Sequence, residues 1–266
     1  RIRTAIRSRA NYYDNLDRAC EALSKEINLD RGLWAGMLDW LFKTKHIRVQ
    51  LLPVDVMPDW RSRFDKHTMR LFISDNLSWP DRIETLAMHL SLFGLKEELD
   101  RAALRLNPKN PEETAFATQF MAGYAAHALM MPYTKFRETA SRMDHDVEAL
   151  ASRFSVNFRQ MAFRLTTLGR NNALGPPFAL MVVNQSGAVL DQLGVTGFPK
   201  STFGGDCGRL DLYKCFADNA QLHVNRVDLG NDRRFLTLTK RVQSQHAGAL
   251  EHAVMLILDN DAAEGT

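Results

Sequence analysis

A single histidine opens the chemical question. His89 stands in Ala87-Met88-His89-Leu90-Ser91-Leu92-Phe93, within a run apolar nearly all round a helix. A zinc-peptidase helix needs two imidazoles four residues apart, so that both lie on one face and grip the metal. It also needs a glutamate directly after the first imidazole to activate the bound water. Here Leu90 holds the glutamate position and Phe93 the second imidazole position. One imidazole without a partner or a base holds no catalytic zinc, so His89 reads as a core histidine and no metal is expected there.

The other histidines carry less. His127 sits among alanines in a helical run and reads as structural, and its distance from His89 is not written in the sequence. Asp144-His145-Asp146 reads as a helix cap, with a carboxylate accepting backbone N–H bonds. His246 and His252 are too loosely spaced for a metal site. Cys20, Cys207 and Cys215 are too few and scattered for a disulfide scaffold, and reduced cytosolic thiols are the simplest reading.

Two groups of residues suit ligands. Phe203-Gly204-Gly205-Asp206-Cys207-Gly208-Arg209 offers three glycines for close backbone approach, flanked by Lys200 and Arg209. Exposed N–H groups and cations of that kind suit a phosphate; a plain glycine-rich turn is the other reading. Phe178, Phe198 and Phe203 suit an apolar slot or ordinary core packing. Nothing near Cys207 argues for a thiolate. Residues 146–168 read as two helices with a tight turn at Ser155-Val156-Asn157, a helix-turn-helix-like pattern. Arg159, Arg164 and Arg170 lie on or just after the second helix, where they would reach DNA phosphates or base edges; a purely structural helical pair is the alternative.

The elements that must position these residues follow from periodicity. Residues 2–27 read as one helix with a stripe of Tyr12, Leu16, Ala19, Cys20, Leu23 and Ile27, and with arginines crowding its start. A linker or dimer strut is expected of it, a phosphate-contacting tail being the sharper alternative. Helices are expected over 32–45, 81–99, 112–131 and from 132 to 143, and strands over 46–52 and 70–74. The segment 55–66 reads as loop. Arg170 to Pro177 marks a boundary. Beyond it the period becomes strand-like, over 178–184, 188–193, 222–229, 235–242 and 253–258, with Gln185-Ser186-Gly187 as a hairpin turn.

Composition bounds the rest. The 266 residues are 45% hydrophobic and 24% charged, an ordinary globular balance with room for two domains. A net charge of only +3 excludes a histone-like binder. No apolar run approaches the roughly 18 residues of a membrane span. The chain opens on Arg1 rather than Met, so it reads as a fragment.

Four segments carry a resemblance. They are Asn11-Tyr12-Tyr13-Asp14-Asn15-Leu16-Asp17-Arg18-Ala19, the His89 segment, Ala122-Gly123-Tyr124-Ala125-Ala126-His127-Ala128-Leu129-Met130-Met131-Pro132-Tyr133, and residues 146–168. Together they resemble the ImmA/IrrE-type metallopeptidase-like domain of one branch of XRE-family bacterial regulators. In active peptidases of that type a third, acidic ligand precedes the alanine-rich run; the matching position is near Gln119. Thr196-Gly197-Phe198, the glycine-rich segment and Phe216-Ala217 resemble the short-chain fatty acyl-CoA regulator branch (RamB-like). Gly208 and Leu210 stand where that branch carries Pro and Trp, and its Cys-rich tail is not found after Asp259.

The resemblance implies an α+β chain with four parts. Residues 1–30 are a linker and dimerisation helix, and 31–143 a mostly helical, degenerate zincin-like domain with a small sheet. Residues 144–170 are the helix-turn-helix-like pair, and 171–266 an antiparallel-sheet α/β sensor domain. It implies a cytoplasmic transcription regulator, not an enzyme, with no cofactor and no membrane partner. Its expected partners are a second copy, a short-chain acyl-CoA effector, and operator DNA through an amino-terminal helix-turn-helix absent from this chain. The expected ligand contacts are Phe178, Phe198, Lys200, Phe203, Gly204, Gly205, Cys207 and Arg209. The alternatives are a zinc-dependent regulatory protease and direct DNA binding through 146–168.

Overall fold

Ser78 starts the helix that carries His89: its hydroxyl accepts the N–H of Asp81, and Pro80 sits in the first turn, where a missing N–H costs nothing. Local signals of this kind set most of the elements. The computed structural model describes residues 1–58, 60–194, 198, 214–217, 221–230, 233–242 and 251–259. Its first elements are α1 (Ile2–Arg7), α2 (Asp14–Glu26), α3 (Leu33–Lys45), β1 (Arg48–Leu52), β2 (Ser62–Asp65), β3 (Arg70–Ser74), α4 (Trp79–Gly94), α5 (Lys96–Leu104) and α6 (Pro111–Met130). There follow α7 (Tyr133–Arg142), α8 (Val147–Phe154), α9 (Phe158–Leu165), β4 (Ala179–Asn184), β5 (Val189–Leu193), α10 (Lys214–Ala217), β6 (His223–Asp228), β7 (Arg234–Val242) and β8 (His252–Asp259).

The chain divides into two units: Tyr13–Phe136 form a helical unit, while Arg3–Tyr12 and Arg137–Thr266 form a sheet unit. In the helical unit a small sheet runs β1-β3-β2, with β1 parallel and β2 antiparallel to the central β3. Leu71 and Ile73 of β3 are buried. Asn110 caps α6 by accepting the Glu113 N–H. The alanines of α6, Ala117, Ala122, Ala125, Ala126 and Ala128, are fully buried, so neighbouring helices approach its backbone closely.

In the sheet unit the five strands run β5-β4-β8-β7-β6, all neighbours antiparallel. Residues 185–187 close the β4–β5 hairpin, and Gly187 takes the left-handed conformation that favours glycine. The central strands β4 and β8 are buried on both faces. Asp146 caps α8 by accepting two backbone N–H groups, and Asn157 and Gln160 form a capping box on α9. Ser155, in the left-handed region, makes the turn between these helices.

Four expectations change. Residues 2–27 are two helices, not one, broken over residues 8–13. The second, α2, buries Leu16, Cys20 and Leu23 within its own unit, so it is core and not a strut. The run over 81–99 breaks after Gly94, where a side chain would meet the Trp40 ring at 2.9 Å. α4 is buried on one side only: Met88, His89, Leu92 and Phe93 are half-buried. Finally, the expected loop at 55–66 contains β2.

Candidate functional site

His89 projects from α4 toward β2 and shares a hydrogen bond of 2.8 Å between its Nε2 and the Ser62 hydroxyl. Burial holds its pKa down to about 4, against an ordinary 6.5, so the imidazole is neutral at physiological pH. Four residues on, the Phe93 ring lies stacked at 6.2 Å from the imidazole centroid. Phe64, from β2, closes on Phe93 edge-to-face at 4.8 Å. Gln119 of α6 donates to the Met88 sulfur at 3.3 Å. The Ser62 hydroxyl and the Phe93 ring thus face His89, with Phe64 packed against Phe93 and Gln119 against the adjacent Met88.

A second polar group lies farther toward the start of α4. His127 Nε2 is 3.2 Å from Glu84 Oε1 across the α4–α6 contact. Arg61 reaches toward the same region, 3.9 Å from Glu84 and 4.0 Å from Asp81. The pairing of Glu84 with His127 joins residues far apart in the chain, and no local spacing announces it.

Residues 42–166 match the IrrE N-terminal-like domain model of the peptidase M78 type, and residues 167–264 match the model described as short-chain fatty acyl coenzyme A regulator, C-terminal. The chain is thus similar, in order, to an IrrE-like domain and to a short-chain fatty acyl-CoA regulator carboxy-terminal domain. It is 28% identical over 247 residues to the HTH-type transcriptional regulator RamB of Mycobacterium tuberculosis, covering 92% of this chain and 52% of that protein. It is 28% identical over 233 residues to the propionyl-CoA carboxylase regulator of Cereibacter sphaeroides, covering 87% of this chain and 49% of the relative. The chain therefore spans about half the length of these curated relatives. A solved Mycobacterium tuberculosis transcriptional regulator shares the fold, with a TM-score of 0.90 at 24% identity over 99% of this chain and 81% of that one.

An IrrE-like domain implies zinc in the active peptidases, and the residues here do not fit it. Phe93 puts a ring where the helix would present its second imidazole, and Leu90, where the base would stand, is fully buried. Gln119 supplies a neutral amide on α6. Among the described residues no three His, Cys, Asp or Glu side chains converge as a metal-holding group.

The remaining sequence candidates separate sharply. Lys200, Phe203, Gly204, Gly205, Cys207 and Arg209 lie outside the described residues. Phe198 is buried in the sheet-unit core and meets Phe235 edge-to-face at 5.2 Å. Phe178 is buried beside His145, their rings 6.1 Å apart. The two phenylalanines therefore serve packing in this structure. Cys215 is fully buried, and burial pushes its thiol up to about 11, which leaves it protonated and inert.

Two of the three arginines expected to contact DNA, Arg164 and Arg170, are a correction. Arg164 is fully buried, and its guanidinium donates to the Thr167 hydroxyl at 2.9 Å. Arg170 is 8% exposed and donates from Nε to the Tyr12 hydroxyl at 3.2 Å. Both guanidiniums are spent on the interior, that of Arg164 on the buried face of α9 and that of Arg170 in the segment that follows the helix. Only Arg159 of the three is exposed, 3.9 Å from Asp191. One feature of the sheet unit escaped the sequence reading: a shallow cavity of about 370 Å³ between the α8–α9 turn and the end of β7. Val147, Val156 and Phe158 give it an apolar floor. Its cations are engaged, Lys240 with Glu148 at 2.6 Å and Arg241 with Glu251 at 3.3 Å.

No helix among the described residues is long and apolar enough to cross a membrane.

Proposed function

We propose that this chain is the effector-binding and self-associating region of a cytoplasmic bacterial transcription regulator. Its IrrE-like domain recognises rather than cuts, and its carboxy-terminal half senses a short-chain acyl-CoA. The observation that carries the reading is the match of residues 167–264 to the regulator carboxy-terminal model. The relatives named as transcriptional regulators, one of them for propionyl-CoA carboxylase, support it. The chemistry around His89 supports the non-catalytic part: a neutral imidazole bonded to a serine, walled by phenylalanines, offers neither a metal grip nor a base for water.

The mechanism is a population shift. An acyl-CoA that binds one arrangement of the dimer more tightly draws the population toward it, and re-spaces DNA-reading domains outside this chain on their operator. The burial of Arg164 and Arg170 speaks against residues 146–168 as the DNA reader. Calorimetric titration with propionyl-CoA and acetyl-CoA tests the sensor. Saturable heat is expected with at least one of them, and its absence with both removes the assignment.

A further inference from the structure

The first helix has almost nothing of its own to hold it. α1 is six residues long, far below the roughly 12–15 at which an isolated helix becomes marginal. Its first turn holds no acidic residue, and no side chain caps it. Arg3 and Arg7 stand four apart on one face, a like-charge pair that opposes the helix. Its order therefore comes from what it docks on.

That docking is a set of separate clasps onto the sheet unit. Arg7 donates to the carbonyls of Val189 and Leu190, and Arg3 to that of Leu190, all on β5 and all at 3.4 Å, a long distance for a charged donor. Asn11 Nδ2 donates to the Thr166 hydroxyl at 2.9 Å. Thr166 in turn donates to the Phe163 carbonyl at 2.7 Å, so its proton is committed. The Asn11 side-chain carbonyl is left buried with no donor among the described residues, although Asn11 is 3% exposed. A buried carbonyl without a donor is unfavourable, so the docked state carries a penalty that release removes. The Tyr12 hydroxyl accepts from Arg170, and the Tyr12 Cβ packs so tightly on Gly169 that a methyl there would meet it at 2.9 Å.

From this we infer that Arg3–Tyr12 is a detachable strap. It lifts from the end of α9 and from β5 as a local unit while the five-stranded sheet stays folded, so the sheet unit sets the position of the chain's amino-terminal end through a reversible clasp. Ile2 and Ile6 are the buried apolar side chains of α1; the polar attachments are long or incomplete, and local opening is drawn from segments with such imperfect hydrogen bonds. The inference rests on the clasp geometry alone and stands or falls independently of the acyl-CoA reading.

Hydrogen–deuterium exchange of the full chain, read by mass spectrometry on peptides covering α1 and peptides covering β4 and β8, tests it. In the unmodified protein the α1 amides are expected to exchange at least about a hundredfold faster than those of β4 and β8. Thr166→Val removes the Asn11 bond, Gly169→Ala crowds Tyr12, and the mild Tyr12→Phe removes only the phenol oxygen. Each is expected to speed α1 exchange several-fold to tenfold and to leave β4 and β8 within about twofold. The strap is overturned if α1 exchanges at the rate of β4 and β8. It is equally overturned if the variants accelerate strap and sheet together, or if none of the three moves α1.

Discussion

The imidazole of His89 ties the stability of the helical unit to pH. Unfolded, the side chain takes up a proton near pH 6.5; folded, burial delays that to about 4. A group whose folded pKa is depressed binds its proton more readily in the unfolded chain, so acid favours unfolding. The contribution is fully present above pH 6.5 and is lost as the pH falls from there toward 4. The whole difference corresponds to roughly 3 kcal/mol, of which roughly 2 kcal/mol disappears between pH 7 and pH 5. All four tryptophans, Trp34, Trp40, Trp60 and Trp79, lie in the helical unit, so their fluorescence follows that unit alone. With a urea slope of about 2 kcal/mol/M, the midpoint should fall by about 1 M between pH 7 and pH 5. His89→Leu keeps the contact with Phe93 and leaves the half-buried Ser62 hydroxyl to water. Its midpoint should lose that part of the pH dependence, while the carboxylates contribute equally to both proteins. Parallel pH profiles for the parent and His89→Leu would show that the imidazole is not held neutral by the fold, and the description of the site would be wrong.

Two further outcomes follow from the same chemistry. Arg164→Ala should destabilise the sheet unit by about 2–5 kcal/mol, because it empties the space of a fully buried side chain and leaves the Thr167 hydroxyl without its donor. A change near zero in thermal or denaturant unfolding would return Arg164 to the surface and reopen a DNA role. Protein equilibrated with zinc and then desalted should retain far less than one zinc per chain by elemental analysis. One tightly held equivalent, lost on His89→Leu, would contradict the reading of a site without a metal grip.

Much of the fold was legible because period and punctuation agree with it. The five strands of the large sheet, the hairpin over 185–187 and the capped turn between α8 and α9 all stand where alternation, Gly187, Asp146 and Asn157 put them. The misses share a cause, which is that tertiary contacts outvoted local preference. Residues 8–13 sit between two helix-forming stretches, yet Asn11 is drawn to Thr166, 155 positions away, and the helix stops. α4 ends where Leu95 leaves the helical region, and Gly94 before it makes room for the Trp40 ring, a neighbour that nothing in the local text announces. β2, with the sequence Ser-Arg-Phe-Asp, has little strand character of its own and exists because β3 pairs with it. At the site, the missing second imidazole and base were readable from Leu90 and Phe93. The partnership of His89 with Ser62, and that of Glu84 with His127, were not, since each joins separate elements. Arg164 misled for the opposite reason: a charged residue in a turn-helix pattern reads as surface, and only packing shows it inside.

The path of the backbone has a practical corollary. The polypeptide starts in one body, leaves it at residue 12, builds the other, and re-enters at 137. The border between the two matched models, 166/167, falls at the end of α9, inside the sheet unit. A recombinant piece trimmed at that border would part Arg164 from Thr167 and strand the first dozen residues on the wrong fragment. Anyone wishing to isolate or exchange the β-rich body must carry two stretches of chain and bridge the gap left by the excised helices.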